Sequence, residues 1–504
     1  VRSIRLRNFR SLRDTGEVQL RPIVLLIGAN SSGKSSFLRF FPLLKQTLWQ
    51  TTSRSPLLWY VDNSDVDFGD FNNALFRNAE DPSIEVSADM SDVLGRDVRF
   101  SSRIVGGADG RSHVQRFTIS SLGDAVTLTI SANATIEKLT LNEREIPLPV
   151  ADARLVVRQS GPIVRVDNSL VTHLTRELLT QSLMDPLRGI VDAESLRELI
   201  FDILVAGDHG PAEEVLAELQ HEILSRNSSN SAVIAAKFAE SAILERIKTA
   251  LFLRELGSTL DKADAAVREH ARGIRYIAPF RRSPQRFYRR AELQTDEIDR
   301  DGSNLAMFLD SLAEPEREAF STWLRQHFGF GVHIERQDAH VSVMVDIDSP
   351  RSFNVMDMGF GMSQLLPVVA QCWLASGQLR SKQLSLFRDP SRSILPGQAP
   401  SLIAVEQPEL HLHPHHQAQL ADMFTGTVQA MDQLGQPLCL CIETHSEAMI
   451  YRFGELVESN KLRREDISIL LFEKLPGTDE STVRPIEFGA DGVLQDWPIG
   501  FFRG

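Results

Sequence analysis

Eight residues, GANSSGKS at 28 to 35, fit the spacing G-x-x-x-x-G-K-[ST], and that spacing suits the binding of a phosphate chain. Gly28 and Gly33 let the backbone turn its amides inward, Asn30, Ser31 and Ser32 fill the loop, and a helix entered near Ser36 adds its positive end. Lys34 has the reach for terminal phosphates, and Ser35 has the hydroxyl for a magnesium ion. A second stretch, SLIAVEQPELHLHP at 401 to 414, ends an apolar run in Glu406, a carboxylate able to hold the same magnesium shell. Gln407 follows, where a carboxylate would activate water. An amide orients water but takes no proton at neutral pH, so Glu409, two residues on, is the nearest acid that could substitute.

Two more stretches join these. In CIETHSEAM, His445 follows an apolar strand and could touch a γ-phosphate or an attacking water. In VMDMGFGMSQLLPVV, Gly359 and Gly361 make a tight loop before a helix expected to begin near Ser363. Its free amides and hydroxyl, with Gln364 beside them, could face a phosphate.

Taken in this order, the four stretches resemble the ABC-type ATPase superfamily, in its RecF, SMC and OLD (overcoming lysogenisation defect) branch. NFRSL near the start is similar too, while residues 100 to 270 go almost unmatched. The resemblance implies ATP and Mg2+ as ligands, with Ser35 and Glu406 on the metal and His445 as a switch histidine. It also implies that Gly359, Gly361, Ser363 and Gln364 complete the site of an opposite subunit, giving a homodimer or larger homo-oligomer through ATP-bridged heads. Gln407 in the usual glutamate position implies slow hydrolysis, or ATP used as a dimerising ligand. YIAPFRRSPQRFY (276 to 288) and DGVLQDWPIGFF (491 to 502) resemble a bacterial subfamily that includes the ATPase components of anti-phage systems such as Septu, PARIS, Gabija and retron-linked pairs. No Toprim-like acidic set follows His445, so a partner nuclease or toxin is expected to carry the destructive activity. A RecF-like repair ATPase acting on DNA, and a non-hydrolysing scaffold that sequesters a toxin, are the competing readings.

ARGIRYIAPFRRSPQRFYRR carries seven arginines with Tyr276, Phe287 and Tyr288 interleaved, a composition suited to backbone phosphates and base stacking. Arg281, Arg282 and Arg286 are the candidate nucleic-acid contacts, against the plainer reading of a solvated face. HLHPHH offers four histidines, for which a loop after the catalytic strand is a better reading than a metal site. Cys372, Cys439 and Cys441 form no metal or disulfide framework and read as small core residues.

The elements that must position these groups are an α/β, ABC/SMC-head-like P-loop ATPase fold with an antiparallel β lobe and a helical insertion. Alternation in 82 to 170 predicts antiparallel strands, and 172 to 272 turns helical around a turn at RNSSNS. The expected division is 1–170, 171–272, 273–475 and a short C-terminal 476–504, with an exposed insertion over 376–400. At a net charge of −13 over 504 residues, wholesale adhesion to nucleic acid is disfavoured. The absence of any stretch of about 18 uncharged apolar residues predicts a cytoplasmic chain without membrane contact.

Overall fold

A computed structural model describes residues 1–49, 55–62, 64–91, 97–107, 110–121, 123–146, 157–159, 161–166, 168–205, 212–290, 295, 297–347, 351–376 and 400–495. The expected insertion at 376–400 lies almost wholly outside them, as does the end of DGVLQDWPIGFF.

The chain divides into two compact units. The first comprises Val1–Ser53, Leu57–Asp89 and Arg268–Gly504. At its centre five strands run parallel, in the order Ile467–Lys474, Ile23–Gly28, Cys439–Glu443, Leu402–Glu406 and Ile274–Ile277. Their apolar runs follow from burial on both faces, which leaves no period-two alternation to read. Ser481–Ile486 then returns antiparallel on Ile467–Lys474, so the residues from 481 to 486 extend this sheet rather than form a separate C-terminal domain. A smaller antiparallel sheet of Tyr288–Arg289, His340–Asp346, Gly331–Gln337 and Ser352–Asn354 belongs to the same unit.

The second unit comprises Arg54–Pro56 and Met90–Val267. Five strands from Val98–Gly106 to Arg144–Ile146 form an antiparallel meander. Leu128, Ile136 and Leu139 of that meander meet Val171, Leu174, Leu253 and Leu256 of two helices. The β-rich stretch and the helices therefore share one apolar interior, where the sequence suggested two domains. The helical pattern over AAKFAESAILERIKTALFLREL also breaks, into Ser231–Phe238 and Ser241–Arg272. RNSSNS holds the short 3-10 turn Ser228–Asn230, as its composition predicts.

The phosphate-loop strand depends on one close approach. A Cβ on Gly28 would lie 2.3 Å from the carbonyl oxygen of Phe472 on the neighbouring strand and 2.8 Å from Ser32 Oγ. Gly28→Ala therefore pushes the loop off its strand. Its melting temperature should fall by several degrees and nucleotide affinity should vanish, as calorimetry and equilibrium titration would read.

Candidate nucleotide site at the carboxyl edge of the parallel sheet

The loop after Ile23–Gly28 turns through Ser31 at φ 60° and Gly33 at φ 97° before the helix Lys34–Leu38. A Cβ at Gly33 would sit 2.7 Å from Ser11 Oγ, so this position needs both the left-handed turn and the missing side chain. Lys34 is buried, and its Nζ donates to the carbonyls of Gly28 at 2.9 Å and Ala29 at 2.8 Å. Burial pushes this amine's pKa down, against the pull of Glu443 and Glu409. A cleft of about 630 Å³ opens over the loop, walled by residues 30–36, Arg10, Arg77 and Lys474, with Gln407 and Glu443 facing in.

The acidic groups are arranged differently from expectation. Glu406 does end its strand, but both its oxygens are taken. Arg39 Nε donates to Oε1 at 2.7 Å and Nη2 to Oε2 at 2.8 Å, while the Tyr276 hydroxyl donates to Oε1 at 2.6 Å. The paired carboxylate holds the Arg39 guanidinium charged. Burial, with the Glu406 charge second, raises the pKa of the Tyr276 phenol. Glu406 is absent from the cleft wall.

Glu443 occupies that place instead. Cys439–Glu443 lies between the phosphate-loop strand and the Glu406 strand, with Glu443 opposite both Leu26 and Glu406. It is 3% exposed and lies 4.0 Å from Lys34 Nζ. Its Oε2 is buried without a hydrogen-bond partner. Burial, then the Glu406 charge, pushes its carboxyl up to about 7, while Ser35 and Lys34 pull the other way. The residue types alone single out His445 in this stretch and leave the acid unremarked. A signal for it exists, since LCLCIE ends in a carboxylate just as LIAVE does.

Gln407 stands at φ 43° with its N–H donating to the Glu443 carbonyl at 2.8 Å, which pins an unfavourable turn on the cleft wall. Glu409 stands back from the cleft. It is buried, its Oε1 accepts the His445 N–H at 2.6 Å, and it is absent from the cleft wall. Burial raises its pKa, and its visible task is to hold the His445 backbone. The His445 ring is kept neutral, pushed down to about 4 by burial and by Lys34, and its Nε2 is buried without a partner.

The 359–364 element needs a further correction. Gly359, at φ 77°, turns the chain straight into a helix that starts at Phe360, three residues before Ser363. Ser363 Oγ therefore donates back to the Phe360 carbonyl at 2.7 Å, and Gln364 Nε2 donates to the Arg281 carbonyl at 3.4 Å. Both side chains are buried, while Gly359 is exposed and Gly361 half-buried.

The arginine stretch is largely used within the fold. Arg281 is 6% exposed and donates to the carbonyls of Glu406 at 2.8 Å and Gln407 at 3.4 Å, so it braces the acid-bearing turn rather than facing a nucleic acid. Burial pushes it down to about 10. Arg282 pairs with Asp301 at 3.5 Å and Arg286 with Asp357 at 2.6 Å, though both remain open to solvent. Of the histidines, His413 caps the helix Pro414–Gln433 by accepting the His415 N–H, and His411 lies against Phe360. Among the described residues, no group of three or more His, Cys, Asp or Glu is placed to hold a metal. The three cysteines are buried, and none of the described helices is long and apolar enough to cross a membrane.

Two family comparisons match the chain. The family described as "AAA ATPase domain" covers residues 1–115, and "AAA domain, putative AbiEii toxin, Type IV TA system" covers 217–448. No curated protein matches. Among solved structures, the chain is similar to an Smc head bound to the C-winged helix domain of ScpA, at 10% identity over 96% of this chain and 97% of that one, TM-score 0.38. It is also similar to an Smc head with an extended coiled coil bound to the C-terminal domain of ScpA, from Pyrococcus furiosus, at 11% identity, 96% and 96% coverage and TM-score 0.35. A third is the SMC head from Thermotoga maritima, at 9%, 96% and 98%, TM-score 0.32. At such scores no feature of those proteins carries over. The phosphate loop on its parallel sheet and the similarity to two AAA families define an α/β fold of the P-loop ATPase type. The second match adds a family named for a toxin.

Glu406 supplies the test of this geometry. Arg39→Ala leaves its buried carboxylate with Tyr276 alone. Because the Arg39 side chain is 40% exposed, the loss falls near the low end for a broken buried pair, about 3 kcal/mol. A urea midpoint shifted down at unchanged slope is the expected reading.

Proposed function

We propose that this chain binds ATP with magnesium in the cleft over residues 28–36, hydrolyses it slowly, and in the ATP-bound state pairs with a second copy to control a partner effector. The observation that carries the nucleotide reading is Lys34. Its amine is folded onto two carbonyls of its own loop, at the foot of a cleft whose amides and hydroxyls suit a triphosphate. Arg10 adds positive charge to the wall, where Arg77 and Lys474 share Asp479 at 3.6 and 3.5 Å. The Ser35 hydroxyl fits a magnesium ion, and the unpartnered buried oxygen of Glu443 beside it fits the same requirement for hard oxygen ligands. Bound there, magnesium would neutralise charge on the phosphate oxygens.

The slow rate follows from Gln407. Gln407 lines the cleft, where an amide side chain can orient a water but can take no proton from it. His445, whose backbone Glu409 holds, stands off the cleft wall with a neutral ring and an unpartnered Nε2, so it serves the terminal phosphate only if binding brings the two together.

Support for pairing comes from the surface around Gly359. Phe360 is 64% exposed, and Met356 and Phe353 are exposed beside it in sequence. These apolar groups suit burial against another head. The buried positions of Ser363 and Gln364 then mean that contact opens the first helical turn, or that exposed Gly359 and Phe360 do the touching. Support for an effector comes from the resemblance to anti-phage ATPases and from the family named for a toxin of a type IV toxin–antitoxin system. The reading in which the chain itself works on DNA is not adopted, because Arg281 is internal and Arg282 and Arg286 already hold carboxylates.

ATP turnover by the purified chain tests the nucleotide reading. Lys34→Ala should abolish it, and Gln407→Glu should raise it by about a hundredfold, the range of a restored general base. Unchanged turnover in Lys34→Ala would sink the assignment. Pairing is read by sedimentation with a non-hydrolysable analogue. The wild type should shift to a dimer, and Phe360→Asp should stay a monomer with its nucleotide affinity kept.

A further inference from the structure

Two acids, Glu406 and Glu443, end neighbouring strands beside the phosphate loop, and they differ in what already holds them. Cys439–Glu443 is hydrogen-bonded directly to the phosphate-loop strand, whereas Leu402–Glu406 is one strand further away. Glu443 faces the cleft with Ser35 and Lys34, and Glu406 does not. A carboxylate already holding a bidentate guanidinium and a phenol would have to give up those partners to take a metal. Glu443 needs to give up nothing at Oε2, a buried oxygen without a hydrogen-bond donor; Glu409 Oε2 is in the same state but off the cleft wall. Leaving a carboxylate oxygen dry and unpartnered is costly unless something arrives to use it. Magnesium at phosphate sites commonly takes one or two carboxylates beside the phosphate oxygens and keeps its waters, so one acid opposite a hydroxyl suffices.

We propose that Glu443, rather than Glu406, supplies the carboxylate of the magnesium shell opposite Ser35. Glu406 serves as a structural acid that ties Arg39, at the end of the helix Lys34–Leu38, and Tyr276 of the neighbouring strand to the end of its own strand. This assignment rests on the ATP-binding reading given above. The neighbours of Glu443 suit the exchange. Lys34, 4.0 Å away, turns to the phosphates, and the metal takes its place as counter-charge to two acids set side by side in register.

The test uses the full chain, a fluorescent non-hydrolysable ATP analogue, and Mn2+ as a paramagnetic stand-in read by electron paramagnetic resonance. Analogue binding with the metal chelated tests the nucleotide reading by itself. Wild type that fails to bind overturns that reading and the assignment with it. Given binding, Mn2+ affinity in the ternary complex tests the acid. Glu443→Gln should lower it at least about tenfold with metal-free analogue affinity kept, and Glu443→Asp should fall between Gln and wild type. Glu406→Gln should change Mn2+ affinity less than about threefold while lowering the melting temperature. Loss of Mn2+ affinity in Glu406→Gln, or its retention in Glu443→Gln, overturns the assignment. If Glu443→Gln cannot be recovered folded, Glu443→Asp decides, and its Mn2+ affinity must fall for the proposal to stand.

Discussion

Removing several charges from water at the edge of one sheet is the constraint on which this site depends. Glu406, Glu409 and Glu443 are all buried there, with Lys34 and Arg281 buried among them and Arg39 reaching in from the turn after the helix Lys34–Leu38. An isolated buried charge costs many kilocalories per mole, so each must be paired, protonated or supplied with a ligand. The structure divides these solutions among the three acids. Glu406 is paired by Arg39 and Tyr276. Glu409 is held by a backbone N–H and pushed toward its neutral form by burial. Glu443, raised to about 7, stands between the two solutions.

That division explains why the site is asymmetric about the phosphate loop. On one side sit groups committed to structure, and Arg281 belongs with them because it braces the carbonyls of Glu406 and Gln407. On the other side the groups are uncommitted or lightly committed. Lys34 rests on two carbonyls, Gln407 faces the cleft, and the hydroxyl of Ser35 lies near an acid. Binding can reorganise the second set without disturbing the first.

The strand–loop–helix around residues 28–36 is legible in the sequence because its glycines, lysine and serine are a local pattern with a local cause. The apolar strand ending in Glu406 is legible for the same reason. What the acid does is not, because its partners Arg39 and Tyr276 lie 367 and 130 residues away. The order of parallel strands, which sets Glu443 next to the loop, leaves no trace in composition or period. Arg39 sits in a phenylalanine-rich helical stretch where one arginine reads as a surface residue, and Arg281 in a cluster where it reads the same way. Only tertiary pairing tells them apart. The start of the helix at Phe360 escapes a reading of the sequence because the glycine before it, at φ 77°, ends the turn abruptly rather than through a capping side chain.

The threading of the central sheet has a cost in time. Ile23–Gly28 finds its hydrogen-bond neighbours only in Cys439–Glu443 and Ile467–Lys474. At ribosomal rates of about 5–20 residues per second, this wholly apolar strand waits roughly 20–80 seconds for the first of them to be made. Through that interval it is an unpaired, uncharged edge of the kind that recruits other chains. The second unit, Arg54–Pro56 with Met90–Val267, lies within the intervening stretch and can settle while the edge waits. Newly made chain is therefore most exposed to aggregation before Cys439–Glu443 appears, and a holding chaperone would find its target at Ile23–Gly28.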